Sequence, residues 1–444
     1  MVGNRASAPK AGAFCRLTEG LGAVTIRKTG KRGATMYLGI KTWLQSRGNT
    51  LPQEKRLTRE AIISLIIHST FQFGASMSGV FLNLYLWRLT HSVAVNGTYN
   101  IIVYILTPIG FAIGGWMIKK KDRMVSYRLG IMLIGLFYLS VIIAQDALVK
   151  YYVAFAIFNG LAAAFYWVGY LTLMYDVSTE QNRIRYLAYN MIFFTMASLA
   201  GPALAGFIIR LKEGLSGYTI VFSIAFGMFL LAALISLKIK ASSGHHRVYY
   251  LKWTGLIMKK NRDWLKALLG FFGMGLLQGT MLFLPNILLF QVMPREDIVG
   301  YLGVLYSSLS IAMGMFISKY AQGSKSRMYL AISTIGYLVG VSLLLGSITI
   351  WSVVGFMILY SVFSPLQGNT MTGYYYGLIA KLPLKGELKV ESVVVRELFL
   401  NVGRVISIFC FITFGSDLEG GMIPWILMIA SLTQFALVWS IKNR

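Results

Sequence analysis

Residues 97–118 read GTYNIIVYILTPIGFAIGGWMI, and residues 119–123 directly after them read KKKDR. The first stretch carries no charge over 22 residues. Wound as a helix at 1.5 Å per residue it reaches about 33 Å, enough to cross the hydrocarbon core of a bilayer. The second stretch is a basic turn that cannot enter that core. An apolar span ended by a cluster of cations is the pattern that decides the fold, and it recurs along the chain.

Reading outward on that criterion gives six spans in the first half, at 61–88, 97–118, 125–145, 151–175, 186–209 and 217–238. Six more follow at 265–291, 298–318, 328–347, 350–378, 393–415 and 421–440. The expected architecture is all-α, a polytopic membrane protein of twelve transmembrane helices in two six-helix bundles. The expected organisation is a basic N-terminal tail (1–57), a first bundle (58–239), a polar linker (240–263) and a second bundle (264–444). Composition agrees: 56% of the 444 residues are hydrophobic and 13% charged, where a soluble domain carries about 25% charge. That excludes an ordinary cytoplasmic enzyme, a disordered chain and a nucleic-acid-binding domain.

The formal net charge of +26 would suggest nucleic acid in a soluble protein, but here its placement matters more than its size. With both termini on the cytoplasmic side, 36 basic residues fall in inside segments and five outside, namely Arg88, Lys150, Arg210, Lys212 and Arg295. Under the positive-inside rule this sets the orientation, in a cell membrane of bacterial type. Residues 1–35 are basic and Gly/Ala-rich without a signal-peptide core, and are expected to be a flexible tail that need not belong to the native product. Met36 opens a more plausible amphipathic start, with Tyr37, Ile40, Trp43 and Leu44 roughly on one face. Cys15 and Cys410 form no disulfide framework or zinc spacing, and no cofactor or metal is expected.

The chain also repeats itself. Gly115-Trp116-Met117-Ile118-Lys119 closes the second span and Gly314-Met315-Phe316-Ile317-Ser318 closes the eighth, 199 residues later. Gly79, followed by Asn83 and Trp87, lies 200 residues before Gly279, followed by Pro285 and Asn286. Two helix pairs at one offset argue for duplicated halves, a transporter architecture.

On these residues, from about 58 to 444, the chain resembles the major facilitator superfamily. The family's loop signature between helices 2 and 3 is matched by Gly115 and the basic residues, among them Arg123. Lys119 stands where an acidic residue is usual, and Asp122 is displaced from it. The resemblance implies a gating role for this loop. Gly201-Pro202-Ala203-Leu204-Ala205-Gly206 in the fifth span is similar to the glycine-proline motif of the family's exporters, with Ala205 in place of a glycine. The stretch from Gly79 to Arg88 looks like that of uncharacterised bacterial members. The family also implies that helices 1, 4, 7 and 10 surround the substrate path.

Polar groups inside a span are expensive and should face a cavity or a partner. In the eleventh span Glu397, Asn401 and Arg404 share one face at i, i+4, i+7 spacing. Arg404 reads either as a contact for an anion or polar headgroup or as a structural partner of Glu397 bridged through Asn401. Glu397 reads as a proton-carrying or gating acid or as that partner. In the first span His68, Gln72, Ser76, Gly79 and Asn83 form a stripe expected to line the central cavity, with His68 either coupling protons or hydrogen-bonded structurally. Asn159, Tyr166 and Tyr170 in the fourth span, Gln278 and Asn286 in the seventh and Thr372 in the tenth are further candidates for substrate contact, with packing as the alternative for the aromatic residues. Asp176, followed by Arg183, suits a latch between the halves.

There is no phosphate-binding GxxxxGK[ST] loop for ATP and no catalytic set. The expectation is a proton-coupled exporter of a small or amphipathic molecule, not an enzyme, acting as a monomer among membrane lipids, with protons as a possible partner and no nucleic acid. Two alternatives stay open: a lipid or glycolipid flippase, and a receptor or assembly factor that keeps the fold without moving anything.

Overall fold

A computed structural model describes residues 56–178, 182–212, 214–240, 248–320, 325–379, 381–383, 388–414 and 421–441. The basic tail to residue 55, with its amphipathic start at Met36, lies outside the described residues. Among the described residues, twelve helices are long and apolar enough to cross a membrane. The first six are α1 (Arg59–Thr90), α2 (Val93–Lys120), α3 (Arg123–Ala144), α4 (Tyr152–Asp176), α5 (Arg183–Arg210) and α6 (Ser216–Ser236). The second six begin with α7, in two pieces (Arg262–Met281 and Leu284–Val292), followed by α8 (Glu296–Tyr320), α9 (Ser326–Gly346) and α10 (Ile350–Ile379). They end with α11 (Lys389–Phe414) and α12, also in two pieces (Met422–Leu432 and Phe435–Ser440). A short helix, Thr254–Lys260, leads into α7.

Helix starts are set locally. Thr58 accepts a hydrogen bond from the Ala61 amide, Ser92 from Val95, Asp122 from Met124 and Asn261 from Trp264, each satisfying a donor the first turn leaves open. These caps start four helices two to four residues ahead of the apolar runs. Asp122, the displaced acid of the loop signature, is thus the cap of α3. The seventh span is not continuous as the sequence suggested. It breaks at Leu282 and Phe283, and Pro285 opens the second piece, where its missing amide costs no helical bond.

Packing follows the duplication. In the first half α1 lies against α5 and α6, and α4 against α2 and α3. In the second half α7 lies against α11 and α12, and α10 against α8 and α9. Adding six to each helix number converts one set into the other. The halves meet along two seams, α2 with α11 and α5 with α8, and the same operation exchanges them. Large apolar side chains such as Trp351, Trp439 and Ile143 point outward, as lipid requires.

Candidate functional site

The site is built where α7 crosses α11. Gly275 and Gly279 face Leu400, Gly403 and the backbone of Arg404, and Gly403 faces Phe272 and Gly275. At this crossing a β-carbon would meet the opposite backbone, so small residues alone allow the approach. It brings Arg404 beside Gln278. Arg404 donates from Nη1 to Asn401 Oδ1 at 3.1 Å and from Nη2 to Gln278 Oε1 at 2.9 Å. Its guanidinium also lies 5.2 Å from the ring centre of Tyr104 on α2, a cation–π contact from the other half.

Asn401 donates to the Glu397 carbonyl at 2.7 Å and more weakly to its carboxylate at 3.4 Å. That carboxylate is taken by Arg396, at 2.6 Å. Asn401 thus bridges Glu397 and Arg404. Arg396 lies within α11 with its guanidinium 5.7 Å from the Phe271 ring centre. Neighbours at i, i+1 point different ways along a helix, so face arithmetic hides this pair, which long side chains close. Tyr104 carried no signal at all, since a tyrosine in an apolar span reads as packing.

Of the other second-half candidates, Asn286 is half-buried beyond the break in α7 and Thr372 half-buried on α10. One turn before Thr372, Asn369 is exposed, with open space beside Gly368 and Gly373. Asn369 was not singled out from the sequence, although it lies three residues from Thr372 on the same helix.

The stripe on α1 departs from expectation, because most of its members bond within the first half. His68 Nδ1 lies 2.6 Å from the Tyr166 hydroxyl, and its ring stacks on Tyr170 at 3.8 Å. Phe71 stacks on Tyr166 at 3.4 Å. Ser76 donates to the Ala197 carbonyl of α5 at 2.7 Å, and Asn83 accepts from Asn100 of α2 at 3.0 Å. Gln72 is buried, Ser76 and Asn83 are half-buried, and Gly79 is exposed with open space beside it. On α4, Asn159 donates to the Tyr99 hydroxyl at 2.9 Å. Helical period fixed which residues share a face, but the aromatic rings of α4 fill the space that face was expected to open on.

Charges join the halves at both ends. On the linker side Lys119 of α2 lies 3.8 Å from Glu391 of α11, and both are buried. The Tyr250 amide donates to the same carboxylate at 3.0 Å, while Tyr249 donates to the Ala112 carbonyl at 3.2 Å directly over Gly115. Burial beside Glu391 pushes the Tyr249 phenol up. The basic residue that breaks the family's loop pattern thus meets an acid on the opposite half. Asp176 feels the charge of Lys389 on α11 of the other half. Asp176 also pairs at 2.9 Å with Arg123, which lies 3.8 Å from Glu60, both in the first half. The side chain of Arg183 lies outside the described residues.

At the far end Arg88 of α1 pairs with Glu296 of α8, which also accepts from the Tyr218 hydroxyl at 3.3 Å. Arg210 of α5 reaches Asp297 at 2.7 Å, and Arg295 reaches it at 2.8 Å. Beneath these pairs Gly201 abuts Ser76, and Pro202 and Gly206 abut Gly300 and Glu296. The glycine-proline segment is thus the contact surface of the α5–α8 seam. Glu296, Asp297 and Glu391 are thus the acids that join the halves at the two ends.

Residues 64–382 match the family model described as Major Facilitator Superfamily. The chain is 26% identical over 380 residues to the uncharacterised protein YqgE of Bacillus subtilis (strain 168), covering 85% of this chain and 88% of that protein. Among solved structures it is similar to a bacterial homologue of the iron transporter ferroportin in the inward-facing state, with a TM-score of 0.65 at 14% identity over 86% of this chain and 99% of that one. It is also similar to a D-xylose–proton symporter, with a TM-score of 0.63 at 13% identity over 86% and 97%. At such identities these two likenesses speak for the fold alone.

Proposed function

Since the chain belongs to the Major Facilitator Superfamily, and is therefore a multi-pass membrane transporter and not an enzyme, we propose that it is a proton-coupled exporter of a small or amphipathic molecule. It works by alternating access, with both termini and the linker on the cytoplasmic side of a bacterial plasma membrane. The observation that carries this reading is the polar cluster at the α7–α11 crossing. Arg404 there is anchored by Gln278 and Asn401 and reaches Tyr104 of the opposite half. An arginine deep in a span is costly to insert, at about 2.5–3.5 kcal/mol, and such a group by default marks a substrate or ion path.

Two further features support the mechanism. The Lys119–Glu391 contact and the Arg88–Glu296 and Arg210–Asp297 pairs close the two ends of one molecule, so each can open in turn while the other holds. Export is favoured by the Gly201–Gly206 segment, whose resemblance is to the family's exporters. Glu397 and His68 are the proton-handling candidates, Glu397 through its contact with the Arg396–Asn401–Arg404 chain. The test is flux in proteoliposomes of purified protein. Arg404→Ala should remain folded and lose at least about 10-fold in transport, the loss of about 1.4 kcal/mol of binding. Wild-type flux in that variant would reject the site.

A further inference from the structure

Other arginines within or at the edge of the spans face a carboxylate or the carbonyl end of a helix. Arg88, Arg123, Arg210 and Arg396 each face a carboxylate. Arg128 donates to the Ser236 and Ile239 carbonyls at the end of α6, at 3.1 and 2.7 Å. Arg404 differs. Its partners are two neutral side-chain amides and an aromatic face. Among the described residues no carboxylate lies within ion-pair distance of it, because the one acid on its face, Glu397, is held by Arg396. The central cluster of Arg396, Glu397 and Arg404 therefore carries one positive charge without a carboxylate partner, half-buried in the middle of a span, which is costly unless a counter-charge arrives.

We infer that the substrate supplies that charge: it is a monoanion, an organic carboxylate in the first instance, whose head takes the free edge of the Arg404 guanidinium. This rests on the central site proposed above and narrows its cargo. A planar carboxylate suits the remaining N–H groups, which can donate in parallel. The loaded centre is then neutral, and each outward transfer of substrate moves negative charge, so flux is electrogenic whether or not a proton returns.

A variant of unchanged shape tests the charge argument without knowing the substrate. Gln278→Glu places a carboxylate where the amide already meets Arg404. It should raise the melting temperature of the ligand-free protein, because it completes the missing pair. A lowered melting temperature means that Arg404 is already compensated, and overturns the inference. In parallel, purified protein is melted with straight-chain and aromatic monocarboxylates, each beside its primary amide. Carboxylates alone should stabilise the wild type, and the effect should vanish in Gln278→Glu. Equal stabilisation by acid and amide, or by neither, removes the anion from the argument. The proposed transport role fails separately, through unchanged flux in Arg404→Ala.

Discussion

Single side chains decide how the charged core of this protein is held. Glu397 neutralises Arg396 and steadies Asn401, so Glu397→Gln strands a buried cation. The expected cost is about 3–5 kcal/mol, the range for breaking a buried pair from one side, read as a lower denaturation midpoint of the purified protein. Unchanged stability would place the countercharge of Arg396 elsewhere. Lys119 and Glu391 give a reciprocal case. Lys119→Glu and Glu391→Lys should each weaken the linker-side closure by placing like charges together. The double exchange should recover most of the loss, and its failure to do so in a stability cycle would deny the pair a direct interaction. Asp176, beyond the spanning part of α4, is held above the usual carboxylate range by burial, an effect Arg123 partly offsets. The folded state thus binds that proton more tightly than the unfolded chain. The resulting stabilisation is complete below the ordinary carboxylate pKa of about 3.9 and is lost as pH rises through the native value. Asp176→Asn should flatten that decline in melting temperature against pH.

At the scale of helices, close approach is the organising device. The α7–α11 crossing depends on Gly275, Gly279 and Gly403, and it sets Gln278 against Arg404. Gly275→Leu should cost about 1–3 kcal/mol through overpacking and reduce transport beyond that loss by parting the two polar groups. Retained flux with retained stability would show that the helices can separate without harm. These spans were legible in the sequence because each needs about 20 apolar residues, whereas the break at Leu282 and Phe283 was not. Pro285 marks a helix start as readily as a kink, and the apolar run passes through it unchanged.

At the scale of the molecule, two seams related by the internal repeat hold the halves together, and ion pairs sit at both ends. Cysteines replacing Arg88 and Glu296, in a background without Cys15 and without Cys410, which is exposed, should be joined by a short bifunctional thiol cross-linker that stops turnover. Continued transport by the cross-linked protein would mean that the far end need not open. Amino-acid order alone determined the twelve crossings, the division into two sets of six, the family resemblance and the shared face of Glu397, Asn401 and Arg404. Each of these follows from length, charge placement or helical period, which are properties of one segment. Tertiary structure alone decided that Glu397 serves Arg396, that Tyr104 covers Arg404, that Lys119 finds Glu391 and that α4 aromatics enclose His68. A helix's sequence fixes which residues share a face, but the partners of that face depend on how neighbouring helices are rotated and how closely they approach. That is settled by small residues and long side chains spread over the whole chain.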